Sequence, residues 1–324
     1  MLETEHFAFN GDGDGLCALQ QLLLQGGPTP ASLITGTKRD IELVKRVKAL
    51  KGDRVTILDV SFSTNASAVA RLLEAGVNVR YFDHHHAGEP APHPHLEIHI
   101  DASPATCTSL IVNAYLGGRR HLWAAVGAWA DNLEQPALAA VSADSLSAQA
   151  LNMLRELGAC LNYNSYGDRE DDLLITPLDL HRRLIQYTDP REFCRNEPLF
   201  GQLRARLATD LSEAGSVEAL AKNARAAVFL LPNAPWARRV SGVWSNALAN
   251  RHPKRAHAVL TIKPGGGYVV SVRAPHSRPS GAAELCRKFP SGGGREAAAG
   301  INHLAAEMVD GFCAEFLRHF GAGR

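Results

Sequence analysis

What the chain lacks narrows its function first. It has no surplus of either charge, since 34 Lys and Arg stand against 33 Asp and Glu for a formal net charge of +1. Holding long nucleic acid by bulk electrostatics needs a basic excess, so short anionic ligands gripped by local groups fit better. Its six cysteines, at 17, 107, 160, 194, 286 and 313, show neither close pairing nor zinc-ligand spacing. That pattern argues for reduced thiols in a cytoplasm rather than for disulfides. No run approaches the roughly 18 to 20 apolar residues of a membrane span, and MLETEHFAF lacks a basic segment leading into an apolar one. Secretion and a membrane partner are therefore not expected, and neither repeats nor low-complexity tracts interrupt the chain. Its 324 residues at 45% hydrophobic content suffice for two domains with buried cores.

What is present is a set of metal-capable side chains where apolar runs stop. VNVRYFDHHH closes on Asp83, His84 and His85, FAFNGDGDG carries Asp12 and Asp14, VTILDV carries Asp59, and AAVGAWADN carries Asp131. In an open parallel sheet, ligands bind beyond the carboxyl ends of the strands, so carboxylates at strand ends share one crevice. Crowded there, they repel unless cations neutralise them. Carboxylate oxygen with imidazole, and no thiolate nearby, suits Mn best, with Mg, Fe or Zn as alternatives. Two divalent ions roughly 3.5 to 4 Å apart would stabilise the attacking and leaving oxygens of a phosphoryl transfer.

Hydrophobic periodicity alternates strand and helix. FAFN precedes the helical LCALQQLLLQ, LITG precedes IELVKRVKAL, VTILDV precedes ASAVARLLEAG, and VRYFDHH precedes a loop rich in Pro and His. ATCTSLIVNAYLG reads as a helix opened by Thr and Ser caps, and HLWAAVGAWADN as an apolar helix or strand. Residues 140–230 read as helical packing and a connector, with GSVEALAKNARAAVFLL as a linker helix. Beyond residue 236, VSGVWSNALA, AHAVLTIK and YVVSVRAP read as strands, followed by a Gly-rich loop and a closing helix over INHLAAEMVDGFCAEFLRHF. The expected fold is α/β: a parallel-sheet N-terminal domain over 1–195, a helical linker over 196–235, and a smaller α/β domain over 236–324.

These motifs together resemble the DHH phosphoesterase superfamily, in the branch of RecJ-like exonucleases, oligoribonucleases and nucleotide phosphodiesterases with a DHH-associated C-terminal domain. DGDG at 12–15, Asp59, the DHH triplet at 83–85 and Asp131 occur in the family's order, and SVRAP at 271–275 and GGGREAAAG at 292–300 look like its substrate-contact segments. The resemblance implies a hydrolase in which Asp59 bridges two metals, Asp12 binds the first, and Asp14, His84 and Asp131 bind the second. It implies that Asp83 supports the site by orienting His84 and that His85 faces the substrate phosphate or positions the attacking water. Asn10, Ser271, Arg273, Gly292, Gly293, Gly294 and Arg295 become substrate contacts, the glycines cradling an anion at a helix N-terminus. The chain departs from the family at Ala8, where many relatives place a histidine, and at Asn10, where RecJ-like exonucleases place an aspartate. An amide is a weaker ligand than a carboxylate, so both one ion and two are compatible with the sequence.

Hydrolysis of phosphodiester bonds in short oligonucleotides or small nucleotides is the expected activity. The alternatives are a phosphoanhydride or phosphomonoester hydrolase acting on pyrophosphate, polyphosphate or nucleoside bisphosphates, and a nucleotide- or nucleic-acid-binding protein with a weakened metal site. The first would want a denser basic wall than Arg273, Arg278, Arg287 and Arg295 supply. Taken singly, Asp12, Asp14, Asp59 and Asp131 are ordinary turn or cap carboxylates. His93, His95 and His99 read as a solvated Pro-rich loop, Asp101 as an Asx-turn residue, and NYNSYGD at 162–168 as either a turn or a substrate contact. A single chain leaves oligomeric state, a homodimer included, open.

Overall fold

The computed structural model describes residues 4–26 and 29–321 and divides into two compact units, residues 1–204 and 205–324. In the first, a five-stranded parallel sheet runs in the order β2-β1-β3-β4-β5, with β1 at Glu5–Phe9, β2 at Ser32–Ile34, β3 at Arg54–Leu58, β4 at Asn78–Asp83 and β5 at Leu96–Ile100. This doubly wound order reverses between β1 and β3, the point at which such sheets bind ligands. The register pairs Phe9 with Leu58 and Leu58 with Phe82. Asn10, Asp59 and Asp83 consequently stand in one row at the carboxyl edge.

Alternation along the strands sorts the two faces. Ala8, Val55, Ile57, Val79 and Tyr81 pack with Val69 and Leu72 of α2 (Phe62–Glu74) into one core. On the other side lie α1 (Gly13–Leu23), α3 (Thr108–Tyr115) and α4 (His121–Ala130), which contact one another extensively. Every residue of α4 from Trp123 to Ala130 is buried, and an all-round apolar element longer than a buried strand is a core helix. Asp131 thus follows a helix and not a strand. The helices α5 (Glu134–Ala140), α6 (Ala148–Tyr163), α7 (Pro177–Leu184), α8 (Pro190–Asn196) and α9 (Pro198–Gly215) complete the segment expected to be helical.

Two expectations fail in the first unit. IELVKRVKAL forms only a single 3-10 turn, Leu43–Arg46, because the Asn65 amide takes its backbone bonds: Nδ2 donates to the Ile41 carbonyl at 2.8 Å and Oδ1 accepts from Val44 N at 3.3 Å. LEIHI, read as loop, is the edge strand β5, with His99 stacked on Phe82 at a ring-centroid distance of 4.6 Å.

The second unit is a mixed six-stranded sheet in the order β10-β11-β9-β8-β7-β6, comprising β6 (Ala219–Lys222), β7 (Ala226–Leu231), β8 (Ala256–Ile262), β9 (Tyr268–Arg273), β10 (Gly292–Gly294) and β11 (Ala298–Leu304). Its core joins Val228, Leu260 and Val272 to Phe312 and Phe316 of α12 (Val309–Gly321). The 196–235 linker is corrected here, since its second half supplies two strands of this sheet. Asn223 Oδ1 accepts from Arg225 N and Ala226 N, both at 2.9 Å, and this side-chain turn reverses the chain where a continuous helix was expected. VSGVWSNALA, expected as a strand, lies inside α10 (Pro235–Arg251), whose buried Ala237, Val240, Ser241, Trp244 and Ser245 follow helical spacing behind Pro at the first turn. The closing helix starts late: residues 298–304 pair with β9, followed by a 3-10 turn and α12. Among the described residues no helix is long and apolar enough to cross a membrane.

Candidate metal centre

The DGDG segment turns from β1 into α1, and its glycines let backbone approach backbone. A Cβ on Gly15 would stand 2.2 Å from the Asn10 carbonyl oxygen. Asp12 caps α1, accepting from Asp14 N at 3.1 Å and Gly15 N at 3.0 Å through Oδ1. Asp14, in the first turn of α1, reaches across to α3 and accepts from Thr108 N at 2.7 Å and Ser109 N at 2.8 Å. It thereby supplies the cap that Thr and Ser were expected to give, with Cys107 in the N-cap position. Asp59 follows β3 with φ of 58°, a left-handed conformation uncommon outside glycine, and Thr108 Oγ1 donates to its Oδ1 at 2.9 Å.

His84 is the hub. Its Nε2 lies 3.3 Å from Asp59 Oδ1 and 3.5 Å from Asp131 Oδ2, while its Nδ1 meets the Thr106 carbonyl at 3.2 Å. Two sets of donor atoms converge on it, Asp59–His84–His85 and Asp14–His84–Asp131, each set lying within 4.8 Å of one another. Asp83 holds His85 and not the His84 ring: its Oδ1 accepts from His85 Nδ1 at 2.7 Å and from the His84 backbone N at 2.9 Å. The resemblance had assigned Asp83 to His84, but the carbonyl of Thr106 occupies the nitrogen concerned.

Sequence reasoning missed Lys38. Its Nζ donates to Asp12 Oδ2, stands 3.8 Å from Asp131 Oδ1 and 3.4 Å from Asn162 Oδ1, and lies 5.6 Å from the Tyr166 ring centroid. NYNSYGD is therefore part of the centre's wall: Lys38 N donates to the Ser165 carbonyl at 3.0 Å, and Arg39 pairs with Asp168 at 3.0 Å. TGTKRD offers no motif, and only the placement of β2 beside β1 brings Lys38 to Asp12.

Electrostatics favour a cation. Burial, then the Asp12 and Asp14 charges, push the Asp59 carboxyl well above its usual range. Burial and Asp131 likewise raise Asp14. Asp131 caps the C-terminal end of α4, where the helix dipole disfavours an anion. Burial opposes charge on Lys38, but Asp12 and its neighbours outweigh it and hold the ammonium well above its ordinary range. Burial also opposes charge on His85, but the hydrogen bond to Asp83 and the Asp83 charge together outweigh it, raising the imidazole. Asn10 Oδ1 is a buried acceptor without a donor among the described residues. Excess buried negative charge, oxygen and imidazole donors and an unmatched acceptor together fit a hard divalent ion.

The second unit places the remaining candidates around one sheet edge. Register aligns Gly293 with Gly300 and Gly300 with Ser271, a strip nearly bare of side chains. Arg273 at the end of β9 donates through Nε to Asn246 Oδ1 at 2.7 Å, and the turn joining β10 to β11 is closed by Arg295 N on the Ala298 carbonyl at 2.9 Å. The glycine triplet is thus a hairpin strand, not the N-terminus of a helix. Gly292 is required because a Cβ there would lie 1.8 Å from the Cys286 carbonyl oxygen, while Gly293 faces open space. His93, His95 and His99 belong to no metal-capable group among the described residues, and Asp101 forms its Asx turn by accepting from Ser103 N at 2.9 Å.

Comparison with protein families and with curated proteins finds no match. Solved structures do match. Exonuclease RecJ bound to manganese is 18% identical, covering 99% of this chain and 91% of that one, with a TM-score of 0.58. The DHH domain of a member of a ribosomal-protein family is 13% identical, covering 98% and 86%, with a TM-score of 0.62. The pGpG-specific phosphodiesterase PggH from Vibrio cholerae is 13% identical, covering 98% and 100%, with a TM-score of 0.53. The fold of this chain is that of the DHH-domain proteins, in agreement with the resemblance its motifs carry.

Proposed function

We propose that this protein is a divalent-metal-dependent phosphoesterase that hydrolyses phosphodiester bonds of short oligonucleotides or small nucleotides. The observation carrying the reading is the convergence of Asp14, Asp59, His85 and Asp131 on His84 in a buried, negatively crowded centre. A bound Mn or similar ion would supply Lewis acidity toward a phosphoryl oxygen and a lowered pKa for a coordinated water. Asp14, Asp59, His84 and Asp131 would hold it.

The chain's own groups do the rest. Thr108 fixes the Asp59 carboxylate, and the Thr106 carbonyl fixes the His84 tautomer so that Nε2 faces the carboxylates. Asp83 engages His85 through Nδ1, leaving Nε2 to donate to a substrate oxygen. With 41% of its side chain exposed, His85 is the member of the triplet that solvent and substrate reach. Ser271, Arg273, Arg295 and the glycine strip of the second unit are the proposed substrate contacts, Arg273 and Arg295 through charge-assisted hydrogen bonds to phosphate. Near-neutral net charge favours substrates of a few nucleotides over long strands, in keeping with the pGpG specificity of one structural neighbour.

The test is product release from pApA, pGpG, cyclic di-AMP, adenosine bisphosphate, pyrophosphate and polyphosphate with Mn, comparing wild type with Asp59→Asn. Cleavage of a dinucleotide that the substitution abolishes supports the reading. Turnover of pyrophosphate or polyphosphate alone, or of nothing in the panel, refutes it.

A further inference from the structure

We infer that Lys38 is a built-in cation of this centre, an ammonium standing on Asp12 in place of a second metal ion, so that the chain takes one divalent ion and not two. The inference rests on the metal-centre reading above and specifies its stoichiometry. Among the described residues, both metal-capable groups share His84 and neither includes Asp12. The reason is visible at the carboxylate: Oδ1 is spent on the backbone N–H groups of Asp14 and Gly15, and Oδ2 is held by Lys38. A metal at Asp12 would have to displace a lysine that is pinned at several points. Its backbone N–H is tied to Ser165, its ammonium also faces Asn162 and Asp131, and its Nζ lies beside the Tyr166 ring. Ala8, in the strand β1 that leads into Asp12, is fully buried and carries no donor that could compensate.

Asp12, Asp14, Asp59 and Asp131 bring four negative charges, and one dication with one ammonium leaves only a single residual charge. Lys38 is a positioning residue: its compact ammonium, held between Asp12, Asn162 and Asp131, fixes the Asp12 carboxylate.

The experiment is Mn titration of the full chain, followed by calorimetry and electron paramagnetic resonance, for wild type, Lys38→Arg and Lys38→Met. Wild type and Lys38→Arg are expected to bind one Mn with the six-line spectrum of an isolated ion. Lys38→Met, which removes the charge and frees Asp12, is expected to take up a second ion and show exchange broadening from ions roughly 3.5 to 4 Å apart. Two Mn in wild type, or a single Mn in a folded Lys38→Met, overturns the inference while leaving the metal-centre reading intact. No Mn in wild type overturns both. Anomalous diffraction from Mn-loaded wild-type crystals gives a test independent of the variants. One peak beside His84 with Lys38 on Asp12 supports the inference, and a second peak at Asp12 sinks it.

Discussion

Asp59→Asn separates a metal-binding carboxylate from a structural one. Asp59 holds a left-handed φ of 58°, which Asn tolerates better than other non-glycine residues, so the exchange adds no backbone strain. The backbone bond from Asp59 N to the Phe82 carbonyl at 3.0 Å is untouched, and Thr108 Oγ1 retains an amide oxygen to donate to. The charge removed is one that burial, Asp12 and Asp14 already disfavour. Without metal, the variant should therefore unfold no earlier than wild type. With metal the two diverge. Mn at about 100 times its dissociation constant stabilises a binding-competent fold by about 2.7 kcal/mol. In a unit the size of residues 1–204, each kcal/mol moves the midpoint by roughly 2–4 °C, an expected shift of about 5–11 °C for wild type. Asp59→Asn should lose most of it. Differential scanning calorimetry in chelator and in Mn measures both quantities. A variant that keeps the Mn shift, or melts several degrees lower in chelator alone, refutes the reasoning.

Gly158 in α6 faces α4 so closely that a Cβ would lie 2.6 Å from the Val126 carbonyl oxygen and 2.9 Å from Ala130 N. Gly158→Ala gains about 1 kcal/mol of helix propensity but forces two backbones apart, and a net loss of about 1–3 kcal/mol is expected from urea denaturation; a gain would show that the helices move freely. In the second unit, Asp210 is fully buried and pairs with the guanidinium of Arg239 at 2.9 Å. Asp210→Ala removes the buried carboxylate that holds this guanidinium and should cost about 3–5 kcal/mol, read as an earlier unfolding transition of this unit, and an unchanged transition counts against it. Burial, then Arg182, depress His181 to about 4 from an ordinary 6.5. The unfolded chain thus takes up a proton that the folded chain refuses between these values. Stability is full above pH 6.5 and falls toward pH 4 by at most about 3 kcal/mol, and His181→Gln should flatten that slope; parallel stability curves for the two proteins would exclude the assignment.

The first unit was largely legible because two signals coincide there. Each apolar strand ends at a polar donor, and the register of Phe9, Leu58 and Phe82 turns those ends into a physical row. Asp131 was legible as a boundary residue but not as a helix end, since a helix buried on every side has no amphipathic period to read. The second unit was less legible. Whether residues 215–231 form a helix or a hairpin depends on a single side-chain turn at Asn223, and the glycine triplet depends on tertiary contact with Cys286. Lys38 was invisible for another reason. A lone lysine in a loop reads as solvated, and its meaning comes from which strand lies next to β1.

A structural cap and a metal ligand are compatible roles for the aspartates, between which the sequence left the choice open. Asp12 is an N-cap and Asp14 caps a second helix from outside it, so both stand where local backbone chemistry favours a carboxylate, whereas Asp131 stands at a helix C-terminus that disfavours one. A carboxylate has about four lone-pair sites, and amide donors use only part of them. Capping therefore fixes the direction of the remaining lone pairs before any cation arrives. The ordering entropy of the ligands is met during folding and not during binding, which is how a preorganised centre gains affinity. The same economy explains why Lys38 matters at Asp12. There the second oxygen is already taken by a cation that the chain carries with it, so capping and neutralisation are complete at that residue without an exogenous ion.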